Sequence, residues 1–142
     1  MEAASPARLY ATVVGGVLVI AGVVGFFYSA SFGSPGEVDD VFGILSVNAW
    51  HNIVHILTGA IGLLVAGYAA RQYALWLGVI YVAIAIWGFA IGGGESILGF
   101  IPINTEDNIL HLVLGVLGVL AWMATPKGSP ARQPSGGESL AG

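Results

Sequence analysis

The sequence predicts an all-α integral membrane protein: a four-helix bundle made of two tandem helical-hairpin repeats related by pseudo-two-fold symmetry. Three observations support this prediction: a shortage of charged residues, four long apolar runs, and one polar motif that occurs twice. Only 8% of the 142 residues are charged and 56% are hydrophobic, whereas soluble domains are about 25% charged. So few ionised side chains cannot cover the surface of a water-soluble domain.

The four apolar runs have about the length needed to cross the hydrocarbon core of a bilayer, which takes roughly 20 helical residues. Because backbone groups in lipid must satisfy their hydrogen bonds within the segment, each run is predicted to be a helix. The predicted spans are residues 9–30, 52–70, 73–91 and 108–124. In the loop after the first span, the spacing of apolar residues also predicts a short interfacial helix at 38–47.

The spans are predicted to form one transmembrane domain, residues 1–125. Repeat one covers about residues 8–70 and repeat two about residues 72–124. Residues 126–142 are rich in Ser, Gly and Pro and are predicted to be a flexible cytoplasmic tail.

The basic residues predict the orientation of the chain in the membrane. If the chain crosses four times, all four cations fall on one side, and six of the eight acidic residues fall on the other. The positive-inside rule makes the cationic side cytoplasmic. We therefore expect a multi-pass protein with both termini in the cytoplasm. The cations are Arg8, Arg71, Lys127 and Arg132.

An internal repeat is visible at a constant offset of 56 residues. Residues 43–62 align with residues 99–118 without a gap, and seven of the twenty positions are identical. The chain has four asparagines, and all of them fall on matched positions. Because each unit contains two spans, the copies should have the same orientation and share an axis along the membrane normal. The matched polar pairs are Asn48 with Asn104, Asn52 with Asn108, and His55 with His111.

The doubled pattern Asn-x-x-His/Asp-Asn-x-x-His-x-x-x-Gly-x-x-Gly resembles domain-of-unknown-function family 4383. This family comprises small bacterial, largely actinobacterial, membrane proteins. The resemblance covers about residues 8–124. It implies a four-helix membrane fold and a place in the bacterial inner (cell) membrane, but no activity and no catalytic residue.

The polar residues have a structural interpretation. Asn48 and Asn104 are predicted to be N-caps of the second and fourth helices, since an asparagine side chain accepts orphan amide hydrogen bonds. Asn52 and Asn108 lie one turn further on, in a stripe that continues with glycines. Small residues face neighbouring helices in membranes, so the stripe should face inward. In this interpretation the four asparagines form a structural polar cluster that clamps the two repeats together.

Cofactor binding is the alternative interpretation of the same region. His51 and His55 share a helical face, as do Asp107 and His111, because each pair is four residues apart. Together they would offer three imidazoles and one carboxylate, a set that suits zinc or another first-row divalent ion. His55 and His111 alone would suit the axial positions of a haem or another pigment between the helices.

Composition excludes several function classes. The chain has no cysteine, which rules out disulfides and thiolate metal sites, and no basic patch that would indicate a nucleic-acid partner. No nucleophile motif or phosphate-binding loop is present. The expected function is therefore that of a non-enzymatic structural or accessory subunit. Its expected partners are the lipid bilayer and other membrane-protein subunits or a second copy of the chain.

Overall fold

The computed structural model describes residues 4–128. These residues are mostly helical, and the predicted set of four helices is confirmed within them. Two short antiparallel β-hairpins are the departure from an all-α fold. The elements in chain order are α1 (Pro6–Gly25), β1 (Asp39–Val41), β2 (Leu45–Val47), α2 (Ala49–Val65), α3 (Ala70–Ile91), β3 (Ser96–Ile97), β4 (Ile101–Pro102) and α4 (Thr105–Ala124).

Three of the helices, α1, α3 and α4, are long and apolar enough to cross a membrane. Helix α2 is also apolar but has only 17 residues. It is shorter than the predicted span 52–70 because the chain turns at residues 66–69 and α3 begins at Ala70. The predicted boundary between the second and third spans was therefore placed a few residues too late.

The loop between α1 and α2 does not contain the short helix predicted at residues 38–47. It forms the β1–β2 hairpin instead, in which Val41 pairs with Leu45. Phe42 and Gly43 in the turn have φ angles of +53° and +69°. A right-handed helix cannot continue through positive φ, so the apolar spacing in this loop belongs to a hairpin with one buried side.

The loop between α3 and α4 has the same geometry. Ile97 pairs with Ile101, and Leu98 and Gly99 have φ angles of +56° and +79°. Strands β2 and β4 contact each other, and each also contacts a helix of the other half of the chain: β2 contacts α4 and β4 contacts α2. Both hairpins therefore lie over the same end of the helices, which we call the hairpin end.

Glycines bring the helices of each sequential pair into close contact. A Cβ atom at Gly15 of α1 would lie 2.8 Å from the carbonyl oxygen of Gly59 in α2. A Cβ atom at Gly78 of α3 would lie 2.9 Å from the carbonyl oxygen of Gly115 in α4. Helix backbones this close gain dispersion contacts along their length, which is the main attraction between helices in an apolar solvent.

Two tyrosines join the α1–α2 pair to the α3–α4 pair. The Tyr10 hydroxyl of α1 donates a 2.8 Å hydrogen bond to the carbonyl of Leu114 in α4. The Tyr73 hydroxyl of α3 donates a 3.1 Å hydrogen bond to the carbonyl of Thr58 in α2. The two rings also contact each other, with centroids 6.4 Å apart, so the middle of the bundle is built around this tyrosine pair.

The end of the bundle opposite the hairpins is closed by Thr125. Its hydroxyl accepts a hydrogen bond from the amide of Ala7 at 2.9 Å, and its carbonyl accepts one from Arg71 Nε at 3.0 Å. The Arg71 guanidinium also lies 4.8 Å from the centre of a Trp122 ring. Of the predicted tail at 126–142, residues 129–142 lie outside the described part of the chain.

Candidate metal centre

Three histidines meet at the hairpin end of the bundle. His51 and His55 occupy adjacent turns of α2, and His111 lies on α4. One ring nitrogen from each lies within 4.8 Å of the other two. His51 and His111 are buried, and His55 is partly buried. The three donors therefore converge in the interior, where an imidazole cannot depend on bulk water for its hydrogen bonds.

The hydrogen bonding of His51 indicates which of its ring nitrogens is available to an ion. Its Nδ1 lies 2.8 Å from the carbonyl oxygen of Ser46. Because a carbonyl oxygen only accepts, Nδ1 carries the proton and Nε2 keeps a lone pair. Metal-binding histidines commonly have this arrangement, with the other ring nitrogen donating to a carbonyl. The carbonyl of Pro102 is a second acceptor near this ring. A neutral imidazole has one proton and donates to one of the two carbonyls, so its other nitrogen keeps the lone pair that an ion would need.

One ring nitrogen of His111 has an unsatisfied hydrogen-bonding capacity. Its Nδ1 is buried and has no hydrogen-bond partner among residues 4–128. The same holds for the Tyr81 hydroxyl, whose ring centroid lies 4.9 Å from that of His111. A buried polar atom without a partner costs about 1–3 kcal/mol. A ligand that satisfied this nitrogen would remove that cost.

His55 completes the group. Its ring centroid lies 4.4 Å from that of His51 and 6.1 Å from that of His111. Both ring pairs meet edge to face. Three imidazoles arranged around a common point form a donor set suited to zinc, copper, iron or nickel.

Asp107, the fourth predicted ligand, hydrogen-bonds to backbone amides and does not join the three histidines. Its backbone amide donates to the Asn104 side chain at 2.8 Å, and its Oδ2 accepts from the Asn104 amide at 3.1 Å. This is a capping box at the start of α4. Oδ2 also accepts from the Ser46 amide at 3.1 Å. Within the described part of the chain, the cluster of converging ligand atoms contains the three histidines but not Asp107.

The outer asparagines have the predicted N-cap positions and a second role that the sequence did not indicate. Asn48 caps α2 and Asn104 caps α4. The Asn48 side chain also donates to the carbonyl of Phe100 in the second hairpin, and the Asn104 side chain donates to the carbonyl of Ile44 in the first, both at 2.6 Å. Each N-cap thus ties its helix to the hairpin that precedes the other capped helix.

The inner asparagines are buried on the same turns as the histidines: Asn52 lies between His51 and His55 on α2, and Asn108 lies one turn before His111 on α4. Asn52 donates to the carbonyl of Ser29 at 2.9 Å. The side-chain oxygens of Asn52 and Asn108 are buried, and the structure assigns neither of them a hydrogen-bond partner from residues 4–128. A Cβ atom at Gly25 would overlap the Asn52 oxygen, and one at Gly88 would overlap the Asn108 oxygen. These two glycines make the room that the inner asparagines occupy.

Two cavities flank the histidines, one on each side. The larger has a volume of about 110 Å³ and lies among α1, α4 and the first hairpin, with His55, Asp107 and His111 in its wall. The smaller has a volume of about 40 Å³ and lies among α2, α3 and the second hairpin, with all three histidines in its wall. We call them the larger and the smaller cavity. Sequence reasoning found the histidines, but it missed Ser46, Tyr81 and both cavities.

Comparison with known protein families identifies the family of the chain. A family described as a domain of unknown function (DUF4383) matches residues 8–124. The chain belongs to the DUF4383 family. The matched region contains all four helices, both hairpins and the three histidines, so the site lies within the DUF4383 domain. Neither the curated proteins nor the solved structures contain a match.

Proposed function

We propose that this DUF4383 protein is an integral membrane protein that binds one first-row transition-metal ion through His51, His55 and His111. The observation that carries the proposal is the convergence of three imidazole nitrogens within 4.8 Å of one another. Zinc–nitrogen bonds of about 2.0–2.1 Å hold tetrahedral ligand nitrogens about 3.3 Å apart. Closing the triad around an ion therefore requires side-chain movements of an ångström or so, which small ring rotations supply.

Two details of the site support an ion over simple packing of the rings. His51 already has its second nitrogen bonded to the Ser46 carbonyl, which orients the ring as metal sites require. His111 has a buried Nδ1 without a partner in the described structure, and an ion bound through Nδ1 would satisfy it. Three histidines and no thiolate favour Zn²⁺, Cu²⁺, Fe²⁺ or Ni²⁺ over soft ions.

Haem or another large pigment fits the site less well than a single ion. Pockets for drug-sized ligands have volumes of about 300–1,000 Å³, whereas the cavities beside His55 and His111 have volumes of about 110 and 40 Å³. A macrocycle would have to separate helices whose backbones contact at glycines. We therefore propose a metal ion and not a tetrapyrrole.

The proposed membrane location is supported by the outer faces of the helices. Large apolar side chains are exposed on them, including Leu9, Ile20, Trp76 and Met123. Such a surface suits contact with the lipid bilayer. Under the positive-inside rule the hairpin end, which is acidic, faces outward, and both termini are in the cytoplasm of a bacterial cell with the protein in its inner membrane.

The proposed origin of the site is a tandem duplication with pseudo-two-fold symmetry. The two hairpins support it because their paired strand residues, Val41 with Leu45 and Ile97 with Ile101, differ by the 56-residue offset. Helices α1 and α3 support it through identical residues at an offset of 63, since the first loop is longer. The matched residues include Arg8 and Arg71, Tyr10 and Tyr73, Gly15 and Gly78, and Gly25 and Gly88.

A purely structural or accessory role is the second candidate function. The crosswise bonds from Asn48 and Asn104 favour it, because they join the two halves of the bundle without any ion. In that case the imidazoles would serve only as packing, and the protein would act as a non-enzymatic component beside other membrane subunits or further copies of itself. The two candidates differ in whether purified protein holds an ion.

Metal content of the purified protein tests the proposal. The protein is extracted in detergent, stripped with a chelator, reloaded with Zn²⁺ or Co²⁺, desalted and measured by mass spectrometry. We expect one ion per chain in the wild type and less than a tenth of that in the double variant His55→Gln, His111→Gln. Glutamine keeps a hydrogen-bonding side chain while removing the imidazole.

The matched control is Glu106→Gln, an exposed position on the helix that carries His111. It should keep the full ion content. A wild-type protein that retains neither Zn²⁺ nor Co²⁺ after reloading would overturn metal binding and leave the structural role. A double variant that retains the wild-type content would show that the ion binds elsewhere.

A further inference from the structure

The two cavities beside the histidines occupy corresponding places in the two halves of the chain. Val41 and Leu45 of the larger cavity correspond, at the 56-residue offset, to Ile97 and Ile101 of the smaller. Leu18 and Ala21 of the larger cavity correspond, at the 63-residue offset, to Tyr81 and Ile84 of the smaller. The same scaffold thus surrounds both, and particular side chains decide how much space each retains.

Side-chain size explains the difference in volume. Tyr81 and Ile84 leave a volume of about 40 Å³ open in the smaller cavity, whereas Leu18 and Ala21 leave about 110 Å³ open in the larger. A native interior is normally packed without voids of this size. More space is therefore retained on one side of the three histidines than on the other.

We propose that the larger cavity binds a small uncharged molecule whose lone-pair donor atom takes the fourth position on the metal ion. This inference rests on the proposed metal site. His55 and His111 lie in the cavity wall, so an ion held by the triad borders the open space. Three protein ligands with a fourth position left for an exogenous molecule is the pattern of open metal sites.

The lining of the larger cavity determines the chemical class of its ligand. Apart from His55, Asp107 and His111, the lining is aliphatic, so a charged molecule would lose its hydration without compensation. Among residues 4–128, the cavity lining contains no lysine or arginine that would offset the charge of an anion. The ligand class is therefore uncharged, with one nitrogen, sulfur or oxygen donor on an otherwise apolar body.

The volume determines the size of the molecule, and the lining indicates its route. An engineered apolar cavity of about 150 Å³ binds benzene, so about 110 Å³ suits a molecule of roughly five heavy atoms. Val17 and Leu110 line the cavity and are also 52% and 41% exposed on the outer flank of the bundle. An uncharged molecule dissolved in the bilayer would enter between α1 and α4 at this point.

Imidazole at pH 8 is a suitable ligand for the test because it is uncharged and has five heavy atoms. Detergent-solubilised protein loaded with Co²⁺ is titrated with imidazole while the visible absorption of the ion is recorded. We expect a saturable shift in the wild type. Ala21→Ile gives the larger cavity the isoleucine that Ile84 contributes to the smaller one. This variant should bind imidazole at least tenfold more weakly. Ala83→Ile on the exposed face of α3 is the size-matched control and should bind as the wild type does.

Two further titrations of the wild type test size and charge independently of any variant. Benzimidazole is too large for the cavity and azide is charged, so neither should shift the spectrum at concentrations where imidazole saturates it. Unchanged imidazole affinity in Ala21→Ile, or binding of azide or benzimidazole as tight as that of imidazole, would overturn the inference. Co²⁺ content is measured on every sample. A wild type that holds no Co²⁺ would overturn the metal site itself, which is a different outcome from a loaded protein that ignores imidazole.

Discussion

Two adjacent glycines of α1 provide a matched pair for testing how the α1–α2 contact positions the histidines. A Cβ atom at Gly15 would lie 2.8 Å from the Gly59 carbonyl oxygen and 3.2 Å from the Leu63 amide nitrogen. A Cβ atom at Gly16 would have no neighbour within 4 Å in the described structure. Both glycines lie inside the same helix, so replacing either with alanine brings the same gain in helix propensity.

The magnitude follows from this comparison. Alanine in place of glycine stabilises a helix interior by about 0.5–1 kcal/mol, so Gly16→Ala should be neutral or slightly stabilising. Gly15→Ala gains the same amount but forces the backbones of α1 and α2 apart, and overpacking of this kind costs about 1–3 kcal/mol. Because the propensity gain cancels between the variants, their difference should be about 1–3 kcal/mol in the free energy of unfolding.

Unfolding of each variant in detergent by a chemical denaturant, followed by circular dichroism, measures this difference. Metal content provides a second readout, because α2 carries His51 and His55. A shift of α2 would separate them from His111, so Gly15→Ala should also hold its ion more weakly. Equal stability of the two alanine variants would refute the backbone contact at Gly15. Lower stability with unchanged metal affinity would refute the claim that the contact sets the position of the triad.

Two other substitutions test the hydrogen bond that joins α1 to α4 and the open side of the proposed metal site. Tyr10→Phe removes the hydrogen bond to the Leu114 carbonyl and should lower the free energy of unfolding by about 1 kcal/mol. Tyr68→Phe, at a position that is 71% exposed, is its control and should change nothing. Asp107→His places an imidazole one turn before His111 and should close the fourth position. Chelator competition should then show tighter Co²⁺ binding, and imidazole should no longer shift the spectrum; a shift as large as in the wild type would contradict the assigned geometry.

Much of the helical architecture follows from composition, but the loops do not. The apolar runs predict helices because an uncharged run of about 20 residues has few alternatives in lipid. The hairpins were missed because Phe42 and Leu98 adopt positive φ, a conformation that bulky residues rarely take. Gly43 and Gly99, which follow these two residues, were the available signal of a turn, since glycine is common where a turn requires positive φ.

The candidate site was predictable in its ligands but not in its surroundings. Helical spacing alone places His51 beside His55, and the predicted repeat adds His111. No sequence pattern indicates that the Ser46 carbonyl orients the His51 ring, because that contact requires the hairpin to fold over the start of α2. The second alignment, of α1 with α3, was also missed. Its 63-residue offset differs from that of the other half, so a gap-free comparison at 56 residues does not reveal it.

Departures from symmetry explain why the proposed site has an open side. Under the proposed duplication, a fully symmetric centre would have four imidazoles, at positions 51, 55, 107 and 111. Asp107 stands where the fourth would be, and its carboxylate is held by the Asn104 and Ser46 amides instead of pointing into the triad. The larger cavity lies on this same side, with Asp107 in its wall. The position without a fourth imidazole therefore lies on the same side as Leu18 and Ala21, which are smaller than their counterparts Tyr81 and Ile84. This coincidence supports the proposed site, in which an ion would accept one ligand from the apolar flank.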